Sequence, residues 1–296
     1  MNLKQKLFLY FFTLTIYSGF AQLSDLARLD FTFIPLSGSE GIEYTRTRAL
    51  FNVPIALKKE KDQYLFLGLD YSNINLNIED DIPFDIDQLD DFQLLDFSIT
   101  YTQKLKNNWR LGIRLKPGFS TNLTASSLSF ADLVLSADAV LIRERDIDEI
   151  RKERLILGVT YSENRGISFP LPFISYYKKF HEKWSFSVGI PKSNLQYHFS
   201  SRHRLKVYAE LDGFTANIQE GMPILDGSGR VDTFNLFLLV SGLQYEYHFA
   251  KRFELYARSA FLLINNTRLR DRNRDNIFEL SNDSSLYLRT GIRLRI

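Results

Sequence analysis

No cysteine occurs among the 296 residues. No disulfide can therefore staple the chain, and no thiolate can bind a metal or attack a substrate. Histidine is scarce, at four residues, and neither HExxH nor another metal-ligand spacing occurs. Lys and Arg number 37 against 35 Asp and Glu, and so small an excess gives no reason to expect a nucleic-acid partner. No Pro- or Ser-rich linker divides the chain, so one domain is the simpler reading. Beyond the first two dozen residues, no apolar run is long enough for a membrane helix.

What is abundant is aromatic. Phe and Tyr number 25 and 15, aromatics make 14% of the chain, and charged residues 24%. A membrane barrel with aromatic girdles and a polar interior demands that mixture.

The N-terminus has the order of a secretory signal. Lys4 and Lys6 precede an uncharged run, Leu7 to Phe20, and the small residues Gly19 and Ala21 offer cleavage before Gln22. Residues 1–21 are therefore expected to be a removed signal peptide and 22–296 an exported domain.

Period-two alternation dominates that domain. Leu286, Leu288, Thr290, Ile292 and Leu294 share one face of the last segment, and Tyr287, Arg289, Gly291, Arg293 and Arg295 the other. Trp109, Leu111, Ile113 and Leu115 alternate with Arg110, Arg114 and Lys116, and Phe253, Leu255, Ala257 and Phe261 with Glu254, Tyr256 and Arg258. Several segments reach the length that crosses a bilayer at a tilt, about 9–11 residues. Strands of a soluble sandwich run about five or six. Tight polar connections (Lys58–Asp62, Leu105–Asn108, Lys179–Lys183, Ser200–His203, Ala250–Arg252) alternate with longer ones (Glu79–Asp91, Gln219–Asp232, Thr267–Asp283). Aromatics crowd the tight ones: Tyr64, Trp109, Phe180, Trp184, Tyr247, Phe249 and Phe253. This is the pattern of periplasmic turns, outer loops and an interfacial girdle. The expected fold is all-β, a closed antiparallel transmembrane β-barrel of about 14 strands with both termini periplasmic. Pro170, Pro172 and Pro191 weaken the ladder locally, and the count falls to 12 if Trp184–Ser200 is one kinked strand or the first segment is a plug.

Three stretches carry a resemblance. Phe20-Ala21-Gln22 resembles signal ends of Bacteroidota. Phe169-Pro-Leu-Pro-Phe-Ile-Ser-Tyr-Tyr and Lys183-Trp-Ser-Phe-Ser-Val-Gly-Ile-Pro191 resemble the uncharacterised outer-membrane barrels classed as DUF6268. The resemblance implies a membrane barrel of unknown activity and brings no catalytic residues. Many outer-membrane barrels end in Phe, whereas this chain ends in Ile296.

Candidate sites follow from the inward faces. Arg46, Arg48, Arg110, Arg114, Lys116, Arg258, Arg289, Arg293 and Arg295 stand with Asp96, Asp132, Asp138, Glu210, Asp212 and Glu254. They make either a basic channel favouring anions or a charge network that holds a narrow bore closed, and the interspersed acids favour the network. Asp271, Asn273, Asp275 and Glu279 have the oxygen spacing of a calcium loop. Asn276 stands where glycine is usual, Asn282 where Glu is usual, and arginines crowd the loop, so a solvated outer loop is the better reading. The acidic run Glu79–Asp91 reads as another, with divalent ions bridging it to lipopolysaccharide. A lipid-hydrolysing barrel needs His beside Ser at the outer rim, and none of His181, His198, His203 and His248 falls there. The expected function is a narrow pore or transporter for small solutes, or structural support of the outer membrane, without enzymatic chemistry or cofactor. Expected partners are outer-membrane lipid, lipopolysaccharide and the barrel-assembly machinery. The competing classes are an enzyme or adhesin on the same barrel and a secreted soluble β-protein.

Overall fold

The computed structural model describes residues 25–36, 42–79, 88–124, 127–148, 150–162, 167–224, 229–280 and 286–295. The expected signal peptide, the core of the Glu79–Asp91 run and Asn282 lie outside them. The strands are β1 (Asp25–Ile34), β2 (Ile42–Lys58), β3 (Gln63–Ile78), β4 (Asp91–Lys104), β5 (Trp109–Thr121), β6 (Leu133–Asp146), β7 (Lys152–Ser162), β8 (Ile167–Lys179), β9 (Trp184–Ile190), β10 (Lys192–His198), β11 (His203–Pro223), β12 (Arg230–Tyr247), β13 (Phe253–Arg270), β14 (Asn276–Leu280) and β15 (Leu286–Arg295). Each wall strand pairs antiparallel with its neighbours in chain order, β13 pairs with β15, and β1 pairs with β15 to close the sheet. Fourteen strands make the wall, while β14 pairs only with the outer end of β13. Trp184–His198 forms two strands, and β1 belongs to the wall, so the count of 14 stands over 12.

Closure follows from the sequence chemistry. A strand that is apolar on its outer face must satisfy every backbone group within the sheet, because lipid offers no partner. On β13, Phe253, Leu255, Ala257 and Phe261 are exposed while Glu254, Tyr256 and Arg258 are buried. Leu115, Val159, Val207 and Leu243 extend the apolar exterior around the barrel, each about half exposed. The five tight connections expected from the sequence all lie at the end that holds both described termini, while the one-residue β9–β10 turn at Pro191 lies away from it. An aromatic belt rims that end: Trp184 lies 4.8 Å from Tyr197, Tyr197 4.8 Å from Phe199, and Phe249 5.6 Å from Phe253.

At the opposite end the alternation continues, but the faces exchange character. On β3, Leu67, Leu69 and Tyr71 point outward and Asp70 and Ser72 inward. Directly after Ser72, Ile74, Leu76 and Ile78 are buried inside and Asn73, Asn75 and Asn77 face out. The outer six of the strand's sixteen residues are thus built like a water-soluble sheet around an apolar core. Ile74, Phe92, Phe214 and Phe234 are each 0% exposed, with ring centroids 5.3 Å apart for Phe92–Phe234 and Phe214–Phe234. Apolar side chains therefore roof the lumen. Two expected loops are strand here: β11 and β12 run on to Pro223 and from Arg230, inside the expected loop Gln219–Asp232, and β13 with β14 occupies most of Thr267–Asp283.

β11 is bent into this roof. Gly213 has φ +140°, and a Cβ there would lie 2.1 Å from the Leu236 carbonyl oxygen, so only glycine fits. Beyond it β11 leaves the wall and reaches β5 across the mouth, where Asn217 pairs in parallel with Thr121 and the Ser120 hydroxyl donates to the Thr215 carbonyl at 2.6 Å.

Candidate functional site: the charged lumen

Below the roof lies a cavity of about 520 Å³ lined by inward residues of most wall strands. Its charges meet across the bore. Asp212 on β11 accepts from Arg46 of β2 at 3.1 Å, from Arg289 of β15 at 2.5 Å and from the Tyr287 hydroxyl at 2.7 Å. Arg48 grips Asp70 with two hydrogen bonds of 2.8 and 2.6 Å, the fork geometry that makes guanidinium–carboxylate pairs strong. Lys116 lies 2.8 Å from Asp96 and 3.5 Å from Asp70. Arg114 donates to Asp138, which also accepts from Thr160. Glu210 takes Lys192 at 2.6 Å and Arg258 at 3.0 Å. Toward the short-turn end, Glu254 holds Arg293 at 3.0 Å and Arg295 at 3.1 Å, and Arg110 lies 3.6 Å from Asp62 of a turn.

Fourteen of the fifteen charged residues singled out from the sequence thus sit on inward faces in these clusters. Asp132 does not. It lies before β6, in the 3-10 turn Phe130–Asp132, and is buried in the roof. Its carboxylate accepts from the Ser129 N–H at 2.7 Å, Asn217 at 2.7 Å and Gln219 at 2.8 Å. Burial alone would raise its pKa, but these donors hold it below the usual carboxylate range. Strict alternation carried one residue too far produced the misplacement.

The calcium-loop candidates do not converge. Asp271 spends its carboxylate on the Asn273 and Asp275 N–H groups, both at 2.9 Å. Glu279 points to Arg268 at 2.7 Å as a cross-strand pair of the β13–β14 hairpin. Hairpin geometry, with alternate residues on opposite faces, separates oxygens that a calcium loop would wrap inward.

Several functional charges were passed over: Arg28 and Asp30 on β1, Asp70 on β3, Lys192 on β10, Lys206 on β11 and Glu246 on β12. All are paired, Arg28 with Asp30 at 3.2 Å and Lys206 with Glu246 at 2.5 Å. The signal that finds them is the same alternation, read on shorter segments. Among the described residues, Glu246, His248 and Glu254 bring ligand-type atoms within 4.8 Å of one another. Arg204, Lys206, Arg293 and Arg295 press on the same carboxylates, and this positive surround opposes a metal cation. Ser185 and His198 meet at 2.8 Å, the contact a nucleophile and its base require. Ser185 is 0% exposed at the short-turn end, out of a substrate's reach.

The fold is similar to several solved outer-membrane proteins. The NanC porin shares 13% identity over 90% of this chain and 100% of that one, with TM-score 0.38. The KdgM porin shares 9% over 90% and 98%, with TM-score 0.36, and an outer membrane channel from Pseudomonas putida F1 shares 11% over 95% and 99%, with TM-score 0.42. No curated protein matches the chain. Residues 41–295 match the family described as domain of unknown function DUF6268, and the protein belongs to that family.

Proposed function

We propose that the protein is an outer-membrane barrel that admits small solutes to a narrow, charge-lined lumen. The observation that carries this reading is the cavity of about 520 Å³ within the wall, lined by paired charges. Water-filled space lined by fixed charges selects solutes by size and sign. The same reading places the termini and short turns at the periplasmic face, the aromatic belt at the inner interface and lipopolysaccharide around the outer end. The assembly machinery inserts a mature chain that starts at Gln22. No catalytic role is assigned to any residue. A second reading, structural support of the outer membrane, draws on the apolar roof and the ion pairs that span the bore.

Purified protein in proteoliposomes tests the first reading. Slow efflux of small ions and sugars is expected, with little steady conductance in planar bilayers. A large, stable conductance would overturn the narrow lumen. Folded protein that releases no solute of any size would leave the structural role.

A further inference from the structure

Apolar side chains roof the cavity at the outer end, and the wall beside it is interrupted above one short hairpin. The β9–β10 hairpin has seven residues in each strand, short of the about 9–11 that a tilted strand needs to cross the hydrocarbon. Its neighbours continue without it. The outermost β8–β9 pair is Ile174 with Ile190, and the outermost β10–β11 pair is Lys192 with Glu210, followed by the Leu211 N–H donating to the Pro191 carbonyl at 3.0 Å. Beyond these, residues 167–173 of β8 pair only with β7. Asp212–Pro223 of β11 pairs only with β12, apart from the Asn217–Thr121 bridge to β5 and the Ser120–Thr215 hydrogen bond beside it, among the described residues. β8 remains in the wall while β11 turns inward at Gly213. The two strands that should be neighbours diverge and leave a notch in the sheet.

The notch lies in the apolar belt. The β7 partners of the free β8 edge include Val159, which is 52% exposed, and the β6 strand beside them presents Leu135 at 47%. Pro170 and Pro172 stand on the free edge, and proline, which lacks the ladder donor, belongs on strands with nothing beside them. Phe173, Pro191, Leu211 and Gly213 border the notch and also line the cavity. Phe173 shares the lining with the apolar Ile156 and Val140, and the Arg114–Asp138 pair and Lys116 lie beyond them. Eight basic and six acidic side chains line the cavity as a whole.

We infer that the lumen opens sideways, between β8 and β11 above the β9–β10 hairpin, and that single-chain amphipathic anions pass there between the cavity and the outer leaflet. The inference rests on the solute-passage reading and supplies its exit and substrate class. The anionic head sits against Arg114, whose side chain keeps 40% of its surface exposed beside Asp138, while the chain lies along Val140, Ile156 and Phe173. A volume of about 520 Å³ suits one such chain, given that ligand pockets span about 300–1,000 Å³.

Because the protein has no cysteine, single Cys variants carrying a bimane label report on each wall. In vesicles of nitroxide-labelled phosphatidylcholine, F173C and L211C, on opposite sides of the notch, should lose emission as the lipid-facing V159C does. S98C, on the far wall of the cavity, should keep its emission. Dodecanoate, but not dodecyltrimethylammonium, should restore the emission of F173C and L211C while V159C stays quenched. Emission at F173C and L211C as high as at S98C would overturn the opening, and equal restoration by the cationic detergent would overturn the anionic head. This readout needs no solute efflux. Its failure leaves the efflux result standing, and absent efflux leaves the quenching result standing.

Discussion

Asp132 illustrates how one residue can belong to a different structure from the one its sequence neighbours suggest. Set before the outward Leu133, it reads as another lumen charge, yet its carboxylate ties the 3-10 turn to the crossing part of β11 through Asn217 and Gln219. Its pKa is held down in the folded protein. The stabilisation it gives is therefore present in full above the usual carboxylate value and is lost as pH falls through the lower, folded value. D132A should cost about 1–3 kcal/mol, because two buried amide donors lose their acceptor. Urea titrations in lipid vesicles at neutral and strongly acid pH check this. Wild-type protein should lose stability on acidification, and the gap between wild type and D132A should shrink at the acid end. A gap that stays constant with pH would exclude Asp132 as the titrating group.

β11 shows what happens when one strand obeys two solvents. From His203 to Leu211 it is a wall strand with lipid on one face and charge on the other, and past Gly213 it is a roof strand with Phe214, Ala216 and Ile218 inside. The bend is legible as a glycine in a strand, but its direction is not, because a glycine permits a turn without specifying it. The expected loop Gln219–Asp232 was misread for a related reason. Outward residues there are polar because they face water, so the segment loses the apolar outer face by which a membrane strand is recognised. G213A should destabilise the barrel by about 1–3 kcal/mol through the strained backbone alone, and more through the clash with Leu236. The roof should also loosen, seen as faster amide exchange in Thr215–Gln219 while β2 and β3 stay protected. Unchanged exchange in that segment would show that the bend does not depend on glycine.

At the scale of the whole molecule, Asp212 is the point where the wall strands β2, β11 and β15 meet through Arg46, Arg289 and Tyr287. Removing one partner of a buried ion pair leaves an uncompensated charge and costs about 3–5 kcal/mol. D212A should therefore lower the unfolding midpoint strongly and bring measurable conductance to planar bilayers as Arg46 and Arg289 repel each other into the cavity. A D212A barrel as stable and as silent as wild type would show that the lumen is wet enough to solvate both guanidinium groups.

The sequence by itself determined the closed barrel, a wall of 12 or 14 strands and all but one of the inward charges it singled out, because period-two alternation and lipid exclusion are local demands that every strand meets on its own. The choice of 14 waited for the pairing of β1 and of β9 with β10. Pro170, Pro172 and Pro191 were readable as a weak place in the ladder. Only the tertiary structure decided what that weakness becomes. The pairing of Asp212 with Arg46 and Arg289, the reach of β11 to β5 and the notch above the β9–β10 hairpin all join residues far apart in the chain. No local pattern encodes which inward charge faces which, or how far one strand outruns its neighbour, since those are set by register and by the curvature of the closed sheet.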